Sequence, residues 1–370
     1  MPVGALSLEE QVGQLFWIGF QGTTLGAPLR SLLGRVQPAA IILFARNIEN
    51  APQVRSLIQD VNGMLKIPPF VALDQEGGRV NRLKPILGPI PANFLLATRE
   101  DPADAVRRQA GAMATALRTL GFNVNLAPVL DLSGPDGRNG IGDRAFGKDP
   151  GTVCRLGRLF LEAHLKRGVV PVGKHFPGLG SAGGDTHLTL PIISKTRARL
   201  YDEDLLPYRR LKRLLPIVMA GHASYPALQG RSTGPATLSR AVIDGLLRRR
   251  LRYRGVIVTD DLEMGAVEQK QGAAAQALAA LSAGNDGLMF CGSEEKILAA
   301  YEGVLAAARR GEINAKRLIL SLDRIGAVRT AYLKKRRAPR DPAAALERSR
   351  RAIAALGADD IAGFDPTARS

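Results

Sequence analysis

Val169-Val170-Pro171-Val172-Gly173-Lys174-His175-Phe176-Pro177-Gly178-Leu179-Gly180-Ser181-Ala182-Gly183-Gly184-Asp185-Thr186-His187 begins as an apolar run and ends as a loop. Val169 to Val172 has the unbroken hydrophobicity of a strand covered on both faces, and it stops abruptly at a Lys-His pair. Five glycines between Gly173 and Gly184 exclude a helix and argue against a regular strand. Ionisable side chains in such a segment are the pattern of a catalytic loop, because binding residues concentrate in loops held by a rigid frame. Two of the chain's four histidines, His175 and His187, fall within it.

The same motif of an apolar run ending in a polar residue recurs along the chain. Eight runs can be marked: Gln14 to Phe20, Ala39 to Phe44, Phe70 to Asp74, Val124 to Pro128, Val170 to Lys174, Pro216 to Ala220, Val256 to Asp260 and Asp286 to Phe290. Helical patterns lie between them, among others Ala51 to Leu65, Ala103 to Leu120, Val153 to Arg167, Glu203 to Leu214, Arg240 to Arg250 and Ala273 to Ala283. This alternation predicts parallel strands joined by crossover helices. Eight repeats fit a closed (β/α)8 TIM-type barrel better than an open doubly wound sheet, and no glycine-rich dinucleotide fingerprint follows the first run.

Polar residues sharpen that choice. Asp74, Asn125 with Asp131, Lys174 with His175, His222 and Asp260 all stand at or just past the ends of their runs. In a barrel these ends converge on one mouth, so residues far apart in sequence share a pocket. The long segments 75–83, 132–146 and 176–193 supply its walls. The expected organisation is a single catalytic barrel over 1–337. A C-terminal helix, Ala343 to Leu356, and a polar tail then occupy 338–370.

Composition sets further bounds. The 370 residues, 45% hydrophobic and 23% charged, suit a globular enzyme with a large core. Cys154 and Cys291 sit in apolar surroundings and read as reduced core residues without a disulfide framework. The N-terminus lacks a basic segment followed by an apolar one, and no apolar stretch reaches the ~18 residues of a membrane span. A cytoplasmic protein with no membrane partner is therefore expected. The formal net charge of +17 raises the question of nucleic acid. Its basic clusters, Arg248 to Arg254 and Lys334 to Arg340, carry no aromatic interleaving, zinc spacing or recognition-helix signature, so they read as solvated helix faces and no nucleic-acid partner is expected.

Five motifs in order resemble the single-domain β-N-acetylglucosaminidases of glycoside hydrolase family 3, the cytoplasmic enzymes of bacterial cell-wall recycling. They are Asp74-Gln75-Glu76-Gly77-Gly78-Arg79-Val80, Asn125-Leu126-Ala127-Pro128-Val129-Leu130-Asp131, Ile141-Gly142-Asp143-Arg144-Ala145-Phe146, Lys174-His175-Phe176-Pro177-Gly178 with Asp185-Thr186-His187, and Val258-Thr259-Asp260-Asp261-Leu262. The resemblance runs from about Leu8 to about Leu333. It implies that Asp260 is the nucleophile, His187 the general acid/base and Asp185 the carboxylate that orients it. Asp74, Arg82, Arg144, Lys174 and His175 would grip the terminal N-acetylglucosamine. Leu179 departs from the family, which usually has a second histidine there, and Ala145 replaces a common serine.

The chemistry of the residues is consistent with those roles. Retaining glycoside hydrolysis needs a carboxylate on one face of the anomeric carbon and a proton donor beside the leaving oxygen. Histidine, with an unperturbed pKa of about 6.5, can give and take that proton, and a neighbouring carboxylate would fix its tautomer. Asp260 continues its run whereas Asp261 opens the next turn, which favours Asp260 and leaves Asp261 as the rival. The chain ends too soon after Asp260 to supply an acid from a further domain, so the acid is expected from the barrel loops.

No cofactor and no metal are expected, since Lys174 beside His175 would repel a cation. The expected activity is a monomeric exo-β-N-acetylglucosaminidase acting on amino-sugar glycosides of muropeptide type. A β-glucosidase, a phosphorylase passing the sugar to phosphate, and a silent sugar-binding barrel are the alternatives.

Overall fold

The computed structural model describes residues 6–134, 140–183, 190–230, 234–267, 272–333 and 339–357. Eight parallel strands close into a barrel: β1 (Phe16–Gly19), β2 (Ala40–Leu43), β3 (Phe70–Leu73), β4 (Val124–Asn125), β5 (Val170–Phe176), β6 (Ile217–Ala220), β7 (Val256–Asp261) and β8 (Gly287–Phe290). Each pairs with its neighbours in chain order, and β8 returns to β1 with Leu288 opposite Phe16. All eight predicted runs therefore become strands of one closed sheet.

Alternate residues divide two cores. In β3, Phe70 and Ala72 belong to the cluster filling the barrel, while Val71 and Leu73 join the larger layer between strands and helices. In β1 the odd residue out is Trp17, which points inward and stacks on Phe70 with ring centroids 5.3 Å apart. Its bulk fits because position 287 is glycine, where a Cβ would lie 2.8 Å from the indole nitrogen. Both faces of every strand are thus buried, which is why these strands read as continuous apolar runs.

β4 is shorter than its run suggests. Pro128 has no N–H to give to a ladder, so regular pairing stops after Asn125. Single bonds still hold the segment beside β5: Val172 N–H donates to the Ala127 carbonyl at 2.9 Å, and Leu130 N–H to that of Lys174 at 2.6 Å.

The helical ring follows the expected order. Pro102–Leu120 and Pro150–Arg167 open on side-chain caps from Asp101 and Asp149, each with proline in the first turn, and stop at Gly121 and Gly168 in left-handed conformation. The pattern read over Glu203 to Leu214 forms helix only at Leu206–Leu211. Pro342–Ala354 packs on Pro102–Leu120, burying Ala345, Ser349 and Ile353. Cys291 is buried as expected, but Cys154 is only half-buried, on the outer side of Pro150–Arg167 beside Arg155 and Arg210. Among the described residues no helix is long and apolar enough to cross a membrane.

At the strands' N-terminal end Asp286 is fully buried and ties three arginines, Arg248, Arg317 and Arg324, to the start of β8. It also accepts the Ile257 N–H of β7 at 2.9 Å. The opposite end is free for function.

Candidate active site

The floor of the mouth is set by an asparagine. Asn125, at the end of β4, accepts the Gln75 N–H at 3.0 Å and donates to the Gln75 carbonyl at 2.9 Å, replacing a missing strand partner. The bond pair fixes the start of the hairpin Gln75–Gly77 and Val80–Asn81 that follows Asp74. The same amide nitrogen lies 3.0 Å from His164 Nε2, while His164 Nδ1 lies 3.0 Å from the Phe160 carbonyl. Because the amide NH2 can only donate, Nε2 is the acceptor and Nδ1 carries the proton. Burial pushes the imidazole down to about 3, and nearby Arg167 acts in the same direction, so the ring is neutral at pH 7.

Above this floor four charged side chains close a compact cluster. Lys174 Nζ, from β5, lies 2.5 Å from Asp74 Oδ1 and 2.6 Å from Glu76 Oε1. Arg144 grips Glu76 with two parallel bonds, Nε to Oε2 at 2.8 Å and Nη2 to Oε1 at 2.9 Å. Burial by itself would push the Glu76 carboxyl up, but Arg144 and Lys174 outweigh it and hold the group well below the usual carboxylate range. Lys174 shows the converse balance: burial opposes its charge, and Asp74 with Glu76 raises its pKa above the ordinary value. A carboxylate so firmly ionised has no proton to give at neutral pH, so Glu76 does not suit the role of a general acid.

Arg144 is held from behind as well. Its carbonyl accepts from Asn93 Nδ2 at 2.7 Å and its Nη1 donates to the Gly140 carbonyl at 3.0 Å. Arg79 reaches the Gly140 and Ile141 carbonyls and pairs with Asp143 at 3.0 Å. Arg82 is also buried, with its guanidinium over the Phe44 ring, 5.9 Å from the centroid.

His175 has a different partner. Its Nδ1 lies 2.6 Å from Asp131 Oδ2, its backbone N–H lies 3.3 Å from both oxygens of that carboxylate, and the Leu179 N–H donates to Oδ1 at 2.7 Å. At the end of β7, Asp260 is partly exposed and accepts the Asp261 N–H at 2.8 Å. Asp261 is buried, with Oδ1 accepting the Glu263 N–H at 3.0 Å, so its carboxylate shapes the following turn. His222 lies fully buried between β6 and β7, with Nε2 donating to the Asp261 carbonyl at 3.0 Å and Nδ1 beside Thr237 Oγ1 at 2.8 Å.

The structure thus links Asp74 to Lys174, Lys174 to Glu76 and Glu76 to Arg144, and sets His175 against Asp131, with Asp260 at another strand end of the same mouth. Asn125 and His222, expected at the mouth from their strand-end positions, hold backbone there instead. Asp185 and His187 lie outside the described residues. The segments flanking them are anchored, Gly178 by the Tyr225 hydroxyl, which donates to its carbonyl at 2.6 Å, and Ile193 by the Ser224 carbonyl at 2.8 Å. Among the described residues no group of three or more His, Cys, Asp or Glu is arranged to hold a metal ion.

Residues 7–328 match the glycosyl hydrolase family 3 N-terminal domain. The chain belongs to glycoside hydrolase family 3. This glycoside hydrolase is 38% identical over 286 residues to a β-hexosaminidase of Alkalilimnicola ehrlichii, covering 76% of this chain and 81% of that protein. The fold superimposes on a family 3 β-N-acetylglucosaminidase from a Paenibacillus species with a TM-score of 0.86 at 33% identity, over 94% of this chain and 69% of the other. A family 3 glycosyl hydrolase of Mycobacterium smegmatis gives 0.80 at 33% identity, over 89% of this family 3 hydrolase and 98% of its own length.

Proposed function

We propose that this hydrolase is a retaining exo-β-N-acetylglucosaminidase that removes terminal N-acetylglucosamine from muropeptide-type fragments. The observation that carries the reading is the neutral four-residue cluster of Asp74, Glu76, Arg144 and Lys174 in the same mouth as a partly exposed Asp260. Buried, fixed cations and acceptors suit the hydroxyls of one sugar ring. A carboxylate with access to the mouth, in a site rich in such contacts, suits attack at the ring's anomeric carbon. The names of the similar proteins favour an N-acetylhexosamine over glucose, and the resemblance to cell-wall-recycling enzymes favours a muropeptide aglycone.

In the proposed reaction the Asp260 carboxylate attacks the anomeric carbon while His187 gives its proton to the departing glycosidic oxygen. The carbon–oxygen bond breaks, and an ester joins the sugar to Asp260. His187, now neutral, takes a proton from water as the water oxygen attacks the same carbon, releasing N-acetylglucosamine and restoring both groups. Asp185 stabilises the protonated imidazole. Two inversions leave the anomeric configuration retained. Lys174, Arg144, Asp74, Arg82 and His175 hold the ring during both steps.

Rates on nitrophenyl β-N-acetylglucosaminide and nitrophenyl β-glucoside, each with and without phosphate, test the reading, together with the anomeric form of the first product by NMR. Preferential release of β-N-acetylglucosamine independent of phosphate is expected. A phosphate requirement would make the protein a phosphorylase, preference for the glucoside would overturn the substrate, and an α product would overturn the retaining mechanism.

A further inference from the structure

We infer that Asp131 is a positioning residue for this reaction: one buried carboxylate sets the tautomer of His175 and fixes the root of the segment leading to Asp185 and His187. The inference rests on the function proposed above. Asp131 is 1% exposed and receives hydrogen bonds from both the imidazole and the backbone N–H of His175, and from the Leu179 N–H. A carboxylate only accepts, so the proton of a neutral His175 ring sits on Nδ1. Nε2 is then the lone-pair nitrogen left for a sugar hydroxyl.

The contact to Leu179 extends the same control along the chain. It comes from the backbone, so it survives any side chain at 179. Other contacts reinforce it. The Tyr225 hydroxyl holds the Gly178 carbonyl at 2.6 Å, and Gly180 passes so close to Leu132 that a Cβ would lie 1.7 Å from the Leu132 carbonyl oxygen. The chain therefore leaves β5 in one direction, set by Asp131, before it reaches the proposed acid/base. One side chain couples the residue proposed to hold the sugar to the residue proposed to protonate its leaving group.

The Asp131→Asn variant tests this, because its amide can accept only on one side and turns an N–H toward a donor on the other. Long-range proton–nitrogen NMR of histidine-labelled protein, with only four rings to assign, reads the His175 tautomer directly. In the wild-type protein Nδ1 is expected to be protonated; a neutral Nε2–H ring there would overturn the inference without any variant. In Asp131→Asn the tautomer should change and kcat/KM on nitrophenyl β-N-acetylglucosaminide should fall on the order of 100-fold.

The loss should grow as the leaving group becomes poorer, whereas His175→Ala should lower all substrates alike. Asp131→Glu should restore the tautomer in part. An unchanged tautomer with equal losses on every leaving group would make Asp131 merely structural and refute the inference. Should the wild-type enzyme fail to cleave β-N-acetylglucosaminides, the proposed function falls, and the NMR arm still decides whether Asp131 sets the ring.

Discussion

Acid should weaken this protein through a histidine that never meets substrate. His164 is fully buried, stacked on Phe160 at 4.2 Å, and its unprotonated Nε2 accepts from the asparagine that pins Gln75. Its pKa falls from 6.5 to about 3 on folding. The unfolded chain therefore binds a proton between those two values that the folded chain refuses, so stability is complete above about pH 6.5 and declines as the pH drops. At 1.36 kcal/mol per unit the loss from this group is about 2 kcal/mol by pH 5 and approaches about 5 kcal/mol near pH 3.

The His164→Gln variant keeps an acceptor for Asn125 and a donor for Phe160 but does not titrate. Urea unfolding at pH 7 and pH 5 should show the wild-type protein losing about 2 kcal/mol more than the variant over that interval. The comparison is of slopes, so any constant cost of the substitution cancels. Parallel curves for the two proteins would refute the assignment of a neutral, accepting His164. Earlier acid loss of activity in the wild type would accompany the expected result, because protonation turns an N–H toward the Asn125 amide and loosens the floor beneath Asp74.

The remaining expectations concern the mouth. Glu76→Gln leaves Arg144 and Lys174 facing Asp74 alone, so stability at pH 7 should fall by about 3–5 kcal/mol and KM should rise, measured by urea midpoint and initial rates. The Glu76 carboxyl is held below its ordinary value, so its contribution is complete above about pH 4.5 and fades progressively as pH falls from there to the lowered folded value, a window largely below that of His164. Asp260→Asn should retain the fold and lose several orders of magnitude in kcat, as for removal of a covalent catalyst, whereas Asp261→Asn should chiefly lower the melting temperature; the reverse would reassign the nucleophile. His187→Ala should slow natural fragments far more than nitrophenyl substrates, give a burst followed by slow turnover, and recover partly with azide; equal slowing without a burst would make His187 a binding residue.

The barrel was legible because parallel strands buried on both faces leave apolar runs that no exposed segment imitates, and because Asp74, Lys174 and Asp260 mark where those runs end. The length of β4 was not, since Pro128 sits in an apolar run yet cannot donate to a ladder. Residue types at strand ends announced a mouth but not who faces it. Asn125 and His222 have the chemistry of ligands and spend it on the backbone of Gln75 and Asp261. Glu76 and Asp131 were legible as members of motifs, while the guanidinium and imidazole they hold, 68 and 44 residues away, become neighbours only through closure of the barrel. His164 left no signal at all: a histidine near the C-terminus of an amphipathic helix looks like a surface residue stabilising that end.

Asp286 gathers Arg248, Arg317 and Arg324 at the end of the barrel away from the mouth. Two helices that are separated in sequence by β7 and β8 are thereby riveted to the strands without using a single residue of the pocket. For an engineer this separates two kinds of change. Segments at the rim, where the aglycone would rest, can be exchanged for those of other family members while the arginine hub keeps the scaffold shut, and a library of such chimaeras should be screened for folded members with Asp286 left untouched.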